Sequence, residues 1–281
     1  MRAKLAITAY ILITTTPLLL GFGYSLLYSF GYIGLMNKGF TTEHWLKLFE
    51  SKDAIMSLFY SILVALGSLI TSLVPALIMA YFLTFGKQNT VFKKILLLPL
   101  FVAPIIVGFL VYYMLSPTGI LARIAFALHL ISSPNNFPTL VNDSFAFGIL
   151  AAHLFLLFPL FTFIFLSIAK KERIIELKQI ATTLGTSKKD FITKIFIPLI
   201  LKKADILIAL YGLFLFGAYE IPLILGKQSP RMVSIFITEK LTKFNLNDIA
   251  LGHAMAVVYT LLVFLTITII LRKKTTKLIP F

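Results

Sequence analysis

The residues with the most informative types and spacing lie in a basic segment between about residues 169 and 204. Four apolar residues there are separated by steps of three, four and three: Ile174, Leu177, Ala181 and Leu184. This spacing places them on one face of a predicted helix. Gly185 follows at a natural end for that helix, because glycine adopts a positive φ at little cost. The pattern indicates binding through a helix face rather than catalysis.

A second, shorter helix is predicted after the glycine. Ser187 stands at its start and Asp190 follows three residues later, a pair of the capping-box type. Phe191 and Ile195 are expected to form its apolar face, and Pro198 falls just before the next apolar segment. Two uses of the unit remain open. It is either an amphipathic helix that lies on anionic lipid or a helix that docks into a groove of a partner protein.

Glu220 is the acidic residue in the most unusual position, inside an apolar segment long enough to cross a membrane. A carboxylate there is costly unless it faces protein or water, so Glu220 is a candidate for lining a path for a cation. Tyr219 precedes it, and Pro222 is expected to weaken the helix. The alternative is a structural acid that pairs with another helix or lies near the outer interface. Asp205 is interpreted as a helix start, where its charge complements the helix dipole.

Residues for other chemistry are not arranged as that chemistry requires. The sequence has no cysteine, and its four histidines show no HExxH-like spacing, so we expect no metal site. It contains no GxxxxGK[ST] phosphate loop, so we expect any ATP to be bound and hydrolysed by a separate partner. Because no catalytic arrangement of serine, histidine and carboxylates stands out either, the chain is expected to be neither an enzyme nor the holder of a cofactor.

The composition indicates which elements must position these residues. Of 281 residues, 59% are hydrophobic and 13% are charged, which excludes a disordered chain. Continuous apolar runs favour helices over barrel strands. The predicted fold class is therefore all-α, with six membrane-spanning helices at roughly 6–30, 56–85, 95–115, 144–168, 205–225 and 249–271. The first segment is interpreted as a span and not as a cleaved signal peptide, because its apolar run is long and lacks a clear cleavage site.

The net charge of +15 predicts the orientation of these spans. With both termini in the cytoplasm, 18 of the 26 lysines and arginines lie in cytoplasmic segments, nine of them between Lys170 and Lys203. The positive-inside rule favours this arrangement. Nucleic acid is not expected as a partner, because the basic residues are divided among loops that flank spans and no basic domain gathers them.

The same basic segment resembles the EAA loop of permeases from binding-protein-dependent ABC importers. The family pattern is E-A-A-x-x-x-G, nine residues and I-x-L-P; here Gln179 to Gly185 is followed by nine residues and Ile195-Phe196-Ile197-Pro198. Ala181 and Gly185 are in register, whereas Ile197 stands where leucine is usual. Looser similarity to spermidine/putrescine-type permeases is found in three further stretches: Leu98-Pro99 with Pro104, Leu115 to Gly119, and Phe216 to Leu223 with Gly226.

The resemblance implies a type I importer permease with a MetI-like fold, one membrane domain over residues 1–281, and a coupling loop at 169–204. It implies five core helices and a peripheral first helix in the bacterial inner membrane. The implied partners are cytoplasmic ATPase subunits, a second permease subunit and an external binding protein. A polyamine is the first choice of substrate, with ferric iron, sulfate or another small solute as alternatives. A secondary transporter or channel is the rival class, but neither charge pairs within the spans nor inverted repeats are evident.

The residues expected to couple to the ATPase all lie in this loop: Gln179, Ile180, Ala181, Leu184, Gly185, Ile195 and Pro198, which the resemblance places in the motif, and Glu176 just before it. One departure from the family pattern affects the ionic contact. Gln179 replaces the family's glutamate, which is expected to meet an arginine of the ATPase, and an amide cannot supply a charge-assisted hydrogen bond. Glu176 lies three residues earlier on nearly the same helix face. We hypothesise that Glu176 takes over the ionic contact, the alternative being a solvated surface acid.

Overall fold

The computed structural model describes residues 2–35, 39–86, 90–242 and 245–275. Within those ranges the regular structure is helical, and no strand occurs. Lys87, Lys243 and Lys277, three of the basic residues used to orient the spans, lie outside the described residues. The predicted all-α class is confirmed for the part of the chain that is described.

Thirteen α-helices are present in the described ranges. Their bounds are α1 Arg2–Ser29, α2 Glu43–Glu50, α3 Lys52–Phe85, α4 Thr90–Leu97, α5 Pro104–Leu115, α6 Ile120–Ala127, α7 Phe147–Lys171, α8 Ile174–Thr183, α9 Lys188–Asp190, α10 Ile197–Phe216, α11 Glu220–Leu225, α12 Val233–Thr242 and α13 Leu246–Thr275. Short 3₁₀ turns occupy Leu98–Phe101 and Pro134–Asn136, and a π-helical segment occupies Phe191–Phe196.

Five stretches among the described residues are long and apolar enough to cross a membrane. They are Leu5–Ser29, Lys52–Phe85, Pro104–Ala127, Phe147–Lys171 and Leu246–Arg272. They correspond in order to the first four predicted spans and the last one, although the third is displaced. The predicted span 205–225 is not among them, because its helix ends at Phe216 and α10 also carries Lys202, Lys203 and Asp205. A six-helix count therefore stays a prediction.

The predicted third span, 95–115, is wrong as one continuous helix. The chain is extended at Val102 and Ala103, between a 3₁₀ turn and α5. Pro104 causes this break, because a proline disfavours the helical conformation in the residue before it and itself fits the first turn of a helix. The apolar stretch that begins at Pro104 instead continues across a turn into α6.

The chain divides into two compact units, Met1–Phe59 with Val233–Phe281, and Tyr60–Met232. In the first unit α13 contacts α1, α2 and α12. The ring of His253 on α13 stacks on Tyr28 of α1 at a centroid distance of 4.4 Å, and its Nδ1 lies 3.2 Å from Ser25 Oγ. A half-buried ion pair between Lys240 and Asp248, at 3.1 Å, joins α12 to α13. Polar side chains therefore hold these helices together.

In the second unit α7 is the central helix and contacts α4, α5, α8, α10 and α11. Its inner face includes Phe161 and Phe165, both fully buried. His153 on α7 is also buried, and its Nδ1 lies 2.8 Å from Ser68 Oγ on α3. Hydrogen bonds of this kind between apolar helices fix which faces meet, because either group would otherwise be left without a partner in an apolar environment.

Gly108 allows α11 to pack closely on α5. A Cβ atom at this position would lie 3.0 Å from Ile224 Cδ1 and 3.8 Å from Ile221 Cα. Small residues permit such an approach between helices. At the far end of α11, the Asn142 amide donates to the Leu225 carbonyl at 2.9 Å, and Lys227 Nζ donates to Ser144 Oγ at 3.0 Å. The short helix that begins with Glu220 is thus held by its packing on α5 and by a hydrogen bond at its C-terminal end.

Candidate functional site

The segment between α7 and α10 contains the predicted helix, glycine corner and second helix. After α7 ends at Lys171, the chain turns through Arg173, whose φ is +50°, into α8. The second helix starts as α9, continues as the π-helical segment Phe191–Phe196 and runs without interruption into α10. The helix, the glycine corner and the start of a second helix are therefore confirmed, but the second helix is not separate from α10.

The corner at Gly185 is a Schellman motif. The Gly185 amide donates to the Thr182 carbonyl at 3.0 Å, and the Thr186 amide donates to the Ala181 carbonyl at 2.9 Å. Gly185 has a φ of +78° and open space where a Cβ atom would lie. Backbone conformation, not lack of room, is therefore the reason for a glycine at this position.

The predicted capping pair at the start of the second helix is also present. Ser187 Oγ accepts a hydrogen bond from the Asp190 amide at 3.1 Å and donates one to Asp190 Oδ2 at 2.6 Å. Lys194 Nζ lies 2.6 Å from Asp190 Oδ1, one turn further along. Its hydrogen bond, together with that of Ser187, holds the pKa of Asp190 below its ordinary value. The start of the second helix is thus stabilised by local contacts alone.

The inner face of α8 differs in part from the predicted apolar face. Ile174 and Ala181 are buried and Leu177 is half-buried, so these three face the protein itself. Leu184 does not share that face: it follows the last residue of α8, and its side chain is 79% exposed. The prediction that all four residues form one docking face is wrong.

The outer face of α8 combines polar and aliphatic side chains. Its exposed residues include Glu176, Gln179, Ile180 and, at the helix end, Leu184. Ile180 is 56% exposed, although a large aliphatic side chain is stabilised by burial. Glu176 lies 3.7 Å from Arg173, and both of these side chains are exposed. Of the eight residues assigned to coupling, Ala181 is directed inward, while Gly185 and Pro198 are exposed and Ile195 is half-buried.

The second helix buries a different pair of residues from the predicted one. Phe191 and Phe196 are buried, whereas Ile195 is only half-buried. The reason is the π-helical geometry, in which residues five apart are aligned by the hydrogen-bonding pattern. Pro198 stands at the start of the following α10, where it cannot donate a hydrogen bond and its ring would crowd the carbonyl four residues back in a regular helix. The π-helical segment lies directly before this proline.

A cluster of four aromatic rings and one lysine fastens the segment to the end of α3. The ring centroid of Phe196 lies 5.4 Å from that of Tyr81 and 6.4 Å from that of Phe85. Phe85 also meets Phe191 edge-on at 6.0 Å. Lys178 of α8 places its Nζ 4.1 Å from the centre of the Phe85 ring. Both helices of the segment therefore contact the same helix end.

An ion pair joins the two helices that flank the segment. Glu172, at the end of α7, lies 2.9 Å from Lys203 of α10, and the glutamate side chain is 23% exposed. Partial burial makes such a pair stronger than one on an open surface. The pair therefore ties the end of α7 to α10, so that a displacement of one of these helices acts on the other.

Sequence reasoning missed the residues of this ion pair and most residues of the aromatic cluster: Tyr81, Phe85, Glu172, Lys178, Phe196 and Lys203. No spacing rule connects Phe85 to Lys178, because 93 positions separate them along the chain. The only available signal was the position of Lys178 on the edge of the apolar stripe of α8.

Tyr219, Glu220 and Pro222 are brought together at the start of α11. Glu220 was predicted to lie inside a continuous span, and this is wrong. The preceding helix ends at Phe216, and Glu220 begins a new helix. Tyr219 and Glu220 are exposed and Pro222 is buried. The helix break precedes Pro222, which lies in the first turn of α11, where a missing amide hydrogen costs no helical bond.

The interpretation of Asp205 as a helix start is also wrong. Asp205 lies in the interior of α10, which begins at Ile197. The actual start of that helix is displaced toward the basic segment, because the π turn and α10 are continuous. In the described residues no group of three or more histidine or acidic side chains is placed to hold a metal ion.

Comparisons with known proteins identify the fold. A chain from the crystal structure of a bacterial ABC transporter involved in the import of the acidic polysaccharide alginate is similar over 96% of this chain and 94% of that chain, with a TM-score of 0.69 and 18% sequence identity. A second similar chain comes from the crystal structure of a bacterial alginate ABC transporter in complex with an alginate pentasaccharide-bound periplasmic protein. The match covers 94% of this chain and 91% of that chain, with a TM-score of 0.71 and 17% identity. No family model and no curated protein matches. The chain thus shares its fold with chains of bacterial ABC importers.

Proposed function

We propose that this chain is the membrane-spanning permease subunit of a type I ABC importer, and that α8 is its coupling helix. The observation that carries the proposal is the exposed outer face of α8, with Ile180 and Leu184 beside Glu176 and Gln179. A short helix whose inner face is packed and whose outer face still presents aliphatic side chains suits a groove on a partner protein. The fold shared with ABC importer chains supports the same conclusion.

The contacts of the segment suggest how a docked ATPase would act on the membrane domain. The ATPase subunit binds and hydrolyses ATP, and this chain holds no cofactor of its own. When the ATPase moves α8, Lys178 and the aromatic cluster carry that displacement to the end of α3 and to the second helix, which continues into α10. The Glu172–Lys203 pair then links α10 to the end of α7. These helices are rigid elements packed on one another, so they shift as a body and alternate the access of a central path.

The proposal is tested by purifying the chain together with its ATPase. Leu184→Asp places a charge on the outer face, and we expect it to release the ATPase and abolish transport. Leu130→Asp is the matched control, because Leu130 is 74% exposed, close to the 79% of Leu184, and lies outside the segment. Transport that persists without any ATPase would instead establish a secondary transporter or channel.

We further propose that the complete importer contains a second permease subunit and an external substrate-binding protein. One of the similar structures contains a periplasmic protein bound to an alginate pentasaccharide. With the basic segments inside, both termini of this chain lie in the cytoplasm and the membrane is the bacterial inner membrane. Fusing a reporter enzyme to each terminus tests this orientation, which predicts cytoplasmic activity for both fusions.

The substrate proposal rests on Glu220. Exposed at a helix break beside Tyr219, its carboxylate favours a cation, and a polyamine remains the first choice. The similar structures concern alginate, an acidic polysaccharide, which is the second candidate. Glu220→Gln separates the two, because loss of the negative charge slows transport of a cation and leaves transport of an acidic oligosaccharide unchanged or faster. Transport in proteoliposomes with each labelled solute provides the measurement.

A further inference from the structure

A cavity of about 560 Å³ lies on the basic side of the second unit, between the ends of α3 and α7 and the starts of α4 and α8. Its lining has two chemically different parts. The basic part consists of Lys93, Lys170 and Arg173, and the apolar part includes Leu83, Phe163 and Leu166. Glu176 is the one acidic side chain of the lining, and it lies 3.7 Å from Arg173. The lining therefore combines a cationic part with an apolar part.

The two parts lie at different depths along α7. Lys170 is next to the last residue of that helix, whereas Phe163 is eight residues before its end at Lys171. At a rise of about 1.5 Å per residue, Phe163 lies roughly 10 Å from Lys170 along the helix. A ligand that fills the cavity must have an anionic group at one end and an apolar body that enters the hydrocarbon region.

We propose that this cavity binds an anionic glycerophospholipid, with its phosphate at Lys93, Lys170 and Arg173 and an acyl chain along Phe163 and Leu166. Basic pockets between membrane helices on the cytoplasmic side suit such head groups. A side chain of a water-soluble partner is less suitable, because it would have to enter the bilayer to reach Phe163. The volume is in the range of sites for small molecules.

The location of Arg173 gives the lipid a consequence for α8. Arg173 is the residue that caps the start of α8, and Glu176 lies in its first turn. A phosphate at Arg173 competes with Glu176 for the guanidinium and thereby leaves Glu176 available on the outer face. The inference goes beyond transport itself, because it requires only that the basic side faces a leaflet that contains anionic lipid.

A tryptophan reporter tests the proposal on the full-length chain in bilayers. The sequence has one tryptophan, Trp45, so the variant Trp45→Phe/Phe163→Trp reports from the cavity alone. We expect brominated phosphatidylglycerol to quench its fluorescence more strongly than brominated phosphatidylcholine. In the same background Lys93→Gln/Lys170→Gln should lower this preference about ten-fold, since each basic residue at a membrane surface attracts anionic lipid.

The matched control is Lys94→Gln/Lys171→Gln, which removes the same charge from two exposed neighbours that do not line the cavity. It should keep the preference. Equal quenching by the two lipids, or equal loss in both double variants, overturns the proposal. The proposal is also overturned if added ATPase abolishes the quenching, because the cavity would then be a contact site for the ATPase. Native mass spectrometry of the two lysine double variants, without the reporter, gives a second measurement: only Lys93→Gln/Lys170→Gln should lose retained phosphatidylglycerol.

Discussion

The ammonium group of Lys178 lies 4.1 Å from the centre of the Phe85 ring, in reach of a cation–π interaction. Lys178 precedes Gln179, which is exposed on the outer face of α8, while Phe85 is the last residue of α3. The contact therefore joins the proposed coupling helix directly to a helix that is long and apolar enough to cross a membrane and is distant in sequence.

We expect Lys178→Met to loosen α8 from α3 without changing its outer face. A cation–π contact at a partly exposed site contributes about 1 kcal/mol, so the free energy of local opening of α8 should fall by about that amount. Hydrogen exchange of residues 174–183 measures the change. Lys178→Arg should retain most of the protection because a guanidinium also binds a ring face, and Lys188→Met should leave it unaltered. Equal protection in Lys178→Met and the native chain would contradict the expectation.

Glu176→Ala is expected to weaken ATPase binding about ten-fold or more, because a hydrogen bond to a charged group contributes about 1.5–3 kcal/mol. The affinity of the purified ATPase for the chain in nanodiscs provides the measurement. Gln179→Glu in the Glu176→Ala background should restore binding, since it returns a carboxylate to the same face. Glu50→Ala, at an exposed glutamate elsewhere, should have no effect. If Glu176→Ala leaves assembly and transport intact while Gln179→Ala abolishes both, Glu176 does not take over the ionic contact.

Gly108 should tolerate a small side chain better than a large one. The atom nearest to an added Cβ is Ile224 Cδ1, the flexible end of a side chain, so Gly108→Ala should change stability little. Gly108→Leu must also displace the backbone near Ile221, and overpacking of this kind costs about 1–3 kcal/mol. Thermal unfolding in detergent distinguishes the two variants. Equal stability of both would show that α5 and α11 are less closely packed than the structure indicates.

The contacts of Asp190 predict an effect of acid on the second helix. A hydrogen bond from Lys194 lowers the pKa of Asp190 in the folded chain most, and a hydrogen bond from Ser187 lowers it further. Stabilisation of the helix start is therefore complete above the unfolded pKa of about 3.9 and is lost as pH falls through the lower folded pKa. Exchange of the Asp190 amide, corrected for the intrinsic rate, should accelerate in that window. Asp190→Asn should abolish the pH dependence, and a native-like acid response in that variant would assign it to another group.

Local features of the basic segment were predictable from the sequence because neighbouring residues decide them. A serine three residues before an aspartate forms a capping pair, and a glycine after a helical stripe adopts a positive φ. The predictions failed where the helix geometry, or the point at which a helix ends, differed from what the apolar pattern indicates. Phe196 replaced Ile195 on the buried face because the backbone is π-helical there, and Glu220 begins a helix because α10 ends earlier than its apolar run.

The sequence by itself determined the helical class, the long apolar stretches and the excess of positive charge in the segment before α10, since composition and periodicity are properties of the chain. Only the tertiary structure decided which side chains of α8 face outward, that Lys178 reaches Phe85, and that Glu172 pairs with Lys203. Those contacts join residues tens of positions apart, and their formation depends on how whole helices pack. No pattern within one helix carries that information, because the partner face is supplied by another part of the chain.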